Sequence, residues 1–149
     1  MGITGTVAGS VTVTIENVNV SVTTVAEQVI EYTAGEAILA KASVCIGESD
    51  SKVYNVKADS SITMPAIGIA QAAAAINEKV YVYQTGKVTG VLRDADFSSD
   101  DLIFVSPLNA GQLTNVPPET VGQFVQSMGR AINASDISLQ IDQTFFEVG

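Results

Sequence analysis

β-Branched residues dominate this chain and constrain its fold more than any other feature. The sequence contains 20 Val, 13 Ile and 13 Thr but only 6 Leu. Branching at Cβ restricts these side chains in a helix and suits them to a pleated sheet. The composition therefore predicts a mainly all-β protein with little helix. Residues 25–31 and 71–78 are each long enough for a short helix, but either segment also fits a loop in a β framework.

Alternating apolar and polar residues near the start of the chain predict strands with one buried face. Valines and threonines alternate from Val11 to Ile15, and the alternation resumes after a shift in phase at residues 16–17. We interpret residues 1–34 as an N-terminal β arm, folded as a hairpin or as one bent strand. The arm is either an ordinary barrel edge or a segment that pairs with a neighbouring subunit. Its candidate partner-binding residues are Val7, Val11, Val13, Ile15, Val18, Val20 and Val22.

Residues 35–149 form one predicted β domain that contains two versions of the same unit, at about 35–90 and 91–149. Two copies are fewer than a solenoid needs, so we expect a duplicated small β-barrel or sandwich. Gly68 and Gly129 lie inside apolar strands, which is typical of a bulge or a close backbone approach. Positions that match between the units are about 60 residues apart: Val53 with Leu113, Gly68 with Gly129, and Val80 with Ile137.

The residues that are missing exclude whole classes of function. The chain has no His, which removes Ser-His-Asp and Cys-His catalysis and His-containing zinc sites. Only 7 cationic residues stand against 16 acidic ones, and the net charge of −9 argues against binding to nucleic acid. The apolar stretch at 66–76 is interrupted and too short for a membrane helix, and residues 1–9 do not resemble a targeting segment. We therefore expect no enzyme, no cofactor, no nucleic-acid or membrane partner, and no export.

Three groups of side chains are the remaining candidates for chemistry. Asp94, Asp96, Asp100 and Asp101 could supply oxygen ligands to calcium, but the run lacks the glycine and the terminal Glu of an EF-hand. We favour a solvated turn between the two units. Tyr81 and Tyr83 share one face of a strand and are expected to pack rather than to bind a sugar. Cys45 lies between apolar residues, so we expect a buried, inert thiol.

The fraction of apolar residues is high for a small soluble monomer. Hydrophobic residues make up 46% of the chain and charged residues only 15%. Apolar surface that the chain cannot bury by itself is commonly covered by other subunits. We therefore expect sister subunits or a partner protein to cover part of the surface.

The order of strands, turns and small residues in the two units resembles that of structural proteins from tailed bacteriophages. The resemblance is greatest to the small β-rich capsid decoration, or cement, proteins, and similar repeats occur in head-fibre and tail-fibre modules. It covers about residues 35–142, and comparable units often have a glycine turn where Ala40, Lys41 and Ala42 stand here. The segments that carry it are 52–56 (KVYNV), 65–70 (PAIGIA), 102–107 (LIFVSP), 111–114 (GQLT), 117–118 (PP) and 124–131 (FVQSMGRA).

This resemblance implies a mechanical function and no catalytic residues. Proteins of this kind are made in the host cytoplasm and bind the outer capsid surface of the virion, where they sit as homotrimers. They tie adjacent major capsid protein subunits together and stabilise the head against genome pressure, because several weak contacts reinforce one another. The alternative is a receptor-binding or fibre module of a phage head or tail. Such a module would usually be longer and show more exposed aromatic residues.

Overall fold

The computed structural model describes residues 3–7, 11–15 and 29–149, and these residues form an all-β protein, which confirms the predicted fold class. The first two strands, β1 (Ile3–Val7) and β2 (Val11–Ile15), pair antiparallel in a separate two-stranded sheet. The described ranges contain one helical element, the single 3-10 turn Ser61–Thr63. No helix in these ranges has the length and apolar character needed to cross a membrane.

Neither short segment with helical potential forms a helix where it is described. Residues 29–31 belong to a strand, and residues 71–78 form a loop with a β-bridge between Ile38 and Ala74. A helix of two turns gains too few internal hydrogen bonds to compete with pairing to a sheet. The helical alternative is therefore wrong for both described segments, while residues 25–28 lie outside the described ranges.

The first five-stranded sheet is antiparallel, and its two ends meet at a single bridge. It has the spatial order β3-β7-β6-β4-β5, and a parallel bridge between Ala34 and Val53 joins its two outer strands. With its ends joined by this bridge, the sheet forms a small barrel. The strands are β3 (Val29–Thr33), β4 (Ser43–Ile46), β5 (Val53–Asn55), β6 (Ala66–Ala70) and β7 (Lys79–Tyr83).

The second five-stranded sheet repeats this plan. Its spatial order is β8-β13-β12-β9-β10, and a parallel bridge between Arg93 and Leu113 closes it. A small sheet of β11 (Phe124–Val125) and β14 (Phe146–Glu147) lies beside it. The strands of the second barrel are β8 (Thr85–Val88), β9 (Leu102–Val105), β10 (Leu113–Thr114), β12 (Ser127–Ala131) and β13 (Ile137–Gln140).

The duplication predicted from the sequence is confirmed, and a backbone hydrogen bond also repeats between the two sheets. Lys41 and Asp100 occupy matching positions and both have positive φ, 65° and 70°. The Lys41 N–H donates to the Ala70 carbonyl at 2.9 Å, and the Asp100 N–H donates to the Ala131 carbonyl at 2.8 Å. Lys41 thus adopts the left-handed backbone that a glycine turn would supply at this point.

The two strand glycines are where the barrels bend. A Cβ at Gly68 would overlap the backbone carbonyl of Tyr83 on β7, and a Cβ at Gly129 would overlap that of Ser138 on β13. The pairing register shifts beside each glycine, between β4 and β6 and between β9 and β12. The predicted bulge and close approach are both present, because only glycine lets the neighbouring backbone come this near.

Two hydrophobic clusters hold the barrels together. One fills the interior of the first barrel: Ala34, Ile38, Ala42, Val44, Val53, Ala70, Ala74, Val80 and Val82. The larger cluster contains the interior of the second barrel and also Cys45, Val56, Ala58, Met64, Ala66 and Ile69 of the first. Backbone bonds cross the junction as well, for instance from the Gly111 N–H to the Val56 carbonyl at 2.8 Å. The two barrels therefore share one core and pack as a unit.

Strand pairing assigns residues 29–83 to the first barrel and 85–140 to the second. The proposed division into residues 1–34, 35–90 and 91–149 stays a prediction of domain boundaries. The acidic segment 94–101 joins β8 to β9 inside the second barrel. The expectation that it links the two units is therefore wrong, because β8 already pairs with β13 of the second sheet.

Candidate interaction surfaces

The predicted partner-binding arm is partly described. Val7 lies in β1, and Val11, Val13 and Ile15 lie in β2. Val18, Val20 and Val22 lie outside the described residues. Among the described strands, β1 and β2 pair only with each other. Whether these seven residues bind a partner stays a prediction.

A groove on the second barrel, with exposed apolar side chains on its walls, is a candidate contact surface. It has a volume of about 210 Å³, and its walls include Pro107, Leu108, Val116 and Pro117. The side chains of Leu108 and Val116 are 70% and 63% exposed, although both are large and aliphatic. Val121, in the segment that borders the groove, is 74% exposed. Apolar side chains grouped in this way mark a surface that another protein can cover.

Hydrogen bonds hold the turns that present this groove. Asp94 accepts a bond from the Ser106 hydroxyl at 2.6 Å and another from the Asn109 amide at 2.9 Å. The same Ser106 oxygen accepts the Leu108 N–H at 3.1 Å. Ser106 is completely buried, so its side chain cannot exchange these partners for water. Leu108 is thus displayed on a rigid turn, which lowers the entropy lost when a partner binds.

The four aspartates considered for calcium binding do not converge. Asp94 serves the turn just described, whereas Asp96 pairs with Arg93 at 2.6 Å and Asp100 with Arg130 at 3.2 Å. Asp101 accepts bonds from the Asn115 amide and the Ser98 N–H, and these bonds lower its pKa. In the described ranges, no three acidic or Cys side chains are grouped closely enough to hold a metal ion. Each carboxylate has its own local structural partner.

Cys45 faces a cleft of about 410 Å³ but is only 1% exposed. Burial, with a smaller contribution from the negative charge of Glu36, raises the pKa of the thiol to about 11. A buried thiol was predicted and is confirmed. At neutral pH it carries its proton and is a poor nucleophile.

Tyr54 covers the mouth of the same cleft. Its ring occupies the space beside Gly35 and Gly47, where a Cβ would clash with it. Its hydroxyl donates to Asp50 at 2.5 Å, which lowers the pKa of Asp50 and raises that of Tyr54. Both shifts favour the ionised carboxylate beside the neutral phenol. This pair closes the β4–β5 turn.

A polar cleft of about 350 Å³ lies at the junction of the two barrels. Its walls include Tyr32, Gln84 and Gln143, together with Ile67 and Ile141. The Gln84 amide donates to the Tyr32 hydroxyl at 3.3 Å. Such a lining can hydrogen-bond a neutral polar ligand.

The prediction that Tyr81 packs is wrong. Tyr81 points outward on β7 and is 45% exposed, whereas Val80 and Val82, which alternate with the tyrosines, fill the core. Tyr83 is partly buried, and the Lys41 ammonium lies 5.2 Å from its ring centre. Alternate residues of a strand lie on the same face of the sheet, but other parts of the protein bury them to different extents.

Sequence reasoning also missed the residues of the groove. Leu108 follows Pro107 and Val116 precedes Pro117, so both lie in turns next to proline. An aliphatic residue beside a turn proline is a weak signal of exposure. Leu108 and Val116 come together only when the chain folds.

No protein-family model matches this chain, and no curated protein matches it significantly.

Proposed function

We propose that this protein is a capsid decoration protein that binds the outer surface of a tailed-phage head and cements adjacent major capsid protein subunits. The exposed apolar groove carries the proposal. Leu108, Val116 and Val121 expose aliphatic surface to water, and hydrogen-bonded turns hold Leu108 in place. Exposure of this kind has a free-energy cost that binding to another protein removes.

The architecture suits a clamp. Two barrels that share one core give a rigid body, so a load on one barrel passes to the other through buried side chains and backbone bonds. A homotrimer of such bodies would present three grooves to the shell. Each occupied groove raises the effective concentration of the others, so moderate contacts add up to firm attachment.

The charge of the protein supports a position outside the shell. The chain carries a net charge of −9, and Asp94 and Glu119 border the groove. Packaged DNA would repel such a surface. We therefore place the protein on the outside of the virion, with apolar contacts at the centre of each groove and acidic residues at its rim.

The test is binding to expanded, empty capsids of a tailed phage that carries this protein. We expect near-stoichiometric occupancy for the natural chain. Leu108→Glu puts a charge into the groove and should weaken binding at least about tenfold, as expected when a central interface residue is lost. Sedimentation of capsids with bound protein measures both.

Ile62→Glu is the matched control. Ile62 is 67% exposed, similar to Leu108, but it lies on the 3-10 turn beside the Cys45 cleft. We expect this variant to bind like the natural chain. Equal loss in both variants would show that the groove is not the contact, and failure of the natural chain to bind capsids would refute the proposed function.

The polar junction cleft favours a second candidate, a receptor-binding module. Gln84, Gln143 and Tyr32 could hydrogen-bond a hydroxyl-rich ligand such as a surface glycan. In that case the purified protein should bind host cells, and Gln143→Ala should weaken cell binding while Leu108→Glu does not. Binding to capsids at only a few sites per particle would also favour this alternative.

A further inference from the structure

The first barrel has an open strand edge at β3. Among the described strands, β3 pairs only with β7, apart from the bridge at Ala34. The Ala34 N–H donates toward β7, to Glu78, whereas the Gly35 N–H points the opposite way, to Val53. Because these directions alternate along a strand, the N–H and C=O groups of Val29 and Glu31 point to the open edge, whereas the Thr33 carbonyl faces Val53 in the bridge.

The side chains of β3 are also incompletely covered. Val29 and Ile30 lie on opposite faces of the strand, yet they are 38% and 40% exposed. Ile30 lies opposite the fully buried Val82 and so faces the core side of the sheet. The matching position in the second barrel is Gly86, opposite Leu139. The first barrel therefore exposes an isoleucine where the second has no side chain.

The hairpin of β1 and β2 also has strand edges without described partners. Among the described strands, β1 and β2 pair only with each other, so the outer edge of each has no described partner. An isolated two-stranded hairpin is marginal in water. Its strands, ITGTV and VTVTI, contain no charged residue. β3 contributes only Glu31, which lies 3.3 Å from the Lys79 ammonium. Two copies of this acidic protein can therefore meet at these strands with little repulsion.

We propose that the open edge of β3 receives the β1–β2 hairpin of a second copy of this chain. Hydrogen bonds from the hairpin would satisfy the backbone of Val29 and Glu31, and its added strand would cover Ile30. A second copy is the occupant because, within one chain, the described hairpin and β3 do not pair. Repeated around a ring, this contact assembles identical subunits head to tail.

This inference deepens the proposed trimer and names the contact that holds it. It is tested on the free protein, without capsids. Failure of the contact changes the oligomeric state in solution, whereas failure of the proposed function leaves that state intact and abolishes only capsid binding. The two outcomes are therefore distinguishable.

The first variant blocks the receiving edge. Glu31→Pro removes an outward N–H and leaves the bonds to β7, a position where proline is tolerated in sheets. We expect sedimentation velocity to show an oligomer for the natural chain and a monomer for Glu31→Pro. Glu31→Ala keeps the N–H and should remain oligomeric. If circular dichroism shows that Glu31→Pro does not fold, Ile30→Lys replaces it, with the same expectation.

The second variant disables the hairpin. Gly5 and Val13 lie opposite each other, so their N–H groups either bond to each other's strand or both point outward. Prolines at both positions break the ladder in the first case and block both outer edges in the second. Gly5→Pro/Val13→Pro should be monomeric, and Gly5→Ala/Val13→Thr should remain oligomeric.

Mixing the two monomers is the decisive measurement. Glu31→Pro keeps the hairpin, and Gly5→Pro/Val13→Pro keeps the open edge, so together they should form a one-to-one heterodimer and nothing larger. A mixture that stays monomeric overturns the inference. So does a natural chain that is monomeric, a Glu31→Pro variant that stays oligomeric, or a Glu31→Ala variant that dissociates.

Discussion

At the scale of single residues, burial controls the chemistry of Cys45. The thiol is 1% exposed, and its pKa is raised to about 11, against 9.0 for an ordinary cysteine thiol. Between these two pH values the unfolded chain has released the proton while the folded chain still holds it. We therefore expect the free energy of unfolding to fall as pH rises from about 9 to about 11.

Urea unfolding at a series of pH values measures this dependence. Tyr54 also has a raised pKa, so the comparison is with Cys45→Ala, which keeps Tyr54. The variant should lose stability less steeply over the same pH interval. Identical slopes in the two proteins would show that Cys45 does not contribute.

At the level of turns and strands, the two barrels have different residues at the matching left-handed position of one turn. Ser51 in the β4–β5 turn has φ of 59°, and Gly111 at the matching point of the β9–β10 turn has φ of 78°. Serine is strained in this left-handed region, whereas glycine is not. The turn before β5 therefore holds strain that the turn before β10 avoids.

Exchanging the residues tests this difference. Ser51→Gly should raise the free energy of unfolding by about 0.5 to 1 kcal/mol, since the relief of strain exceeds the entropy that glycine adds to the unfolded chain. Gly111→Ser should lower it by about 1 to 3 kcal/mol, because its Cβ would also lie 2.8 Å from the Asn55 side-chain oxygen. Urea unfolding measures both. Ser49→Gly, in the same turn without positive φ, should not stabilise the protein.

At the scale of the whole molecule, Gln126 joins the two barrels. Its side chain is 1% exposed, accepts the Ala66 N–H at 2.8 Å and donates to the Ala66 carbonyl at 3.1 Å. Ala66 belongs to the first barrel and Gln126 to the second. The Gln126 amide thus pairs with the backbone of Ala66 on β6 inside the core, where water cannot replace either partner.

Gln126→Leu should destabilise the protein by about 3 kcal/mol, because it leaves both backbone groups of Ala66 buried without partners. Calorimetry should still show one transition, since the larger cluster contains residues from both barrels. Gln123→Leu, which loses one bond from the Thr120 N–H, should change stability by no more than about 0.5 kcal/mol. Two separate transitions in the natural chain would contradict the shared core.

Much of the fold is local and can therefore be predicted. The strand content follows from the β-branched residues, and the duplication follows from matched positions such as Val53 and Leu113, which lie in equivalent strands. The bulges follow from Gly68 and Gly129. The candidate site is different, because Leu108 and Val116 become neighbours only when separate turns fold together. Ser106, which holds one of these turns, looks like any other serine in the sequence.

The amino-acid sequence alone predicts a β-rich, internally duplicated chain with no histidine chemistry and a strongly acidic charge, because strand propensity, repetition and charge are properties of residues and their order. Three features required the folded chain: the two barrels share the larger hydrophobic cluster, the four aspartates serve separate partners, and β3 pairs with only one of the other described strands. Those outcomes depend on contacts between residues far apart in the chain, and such contacts are set by packing and by burial of backbone groups rather than by local pattern.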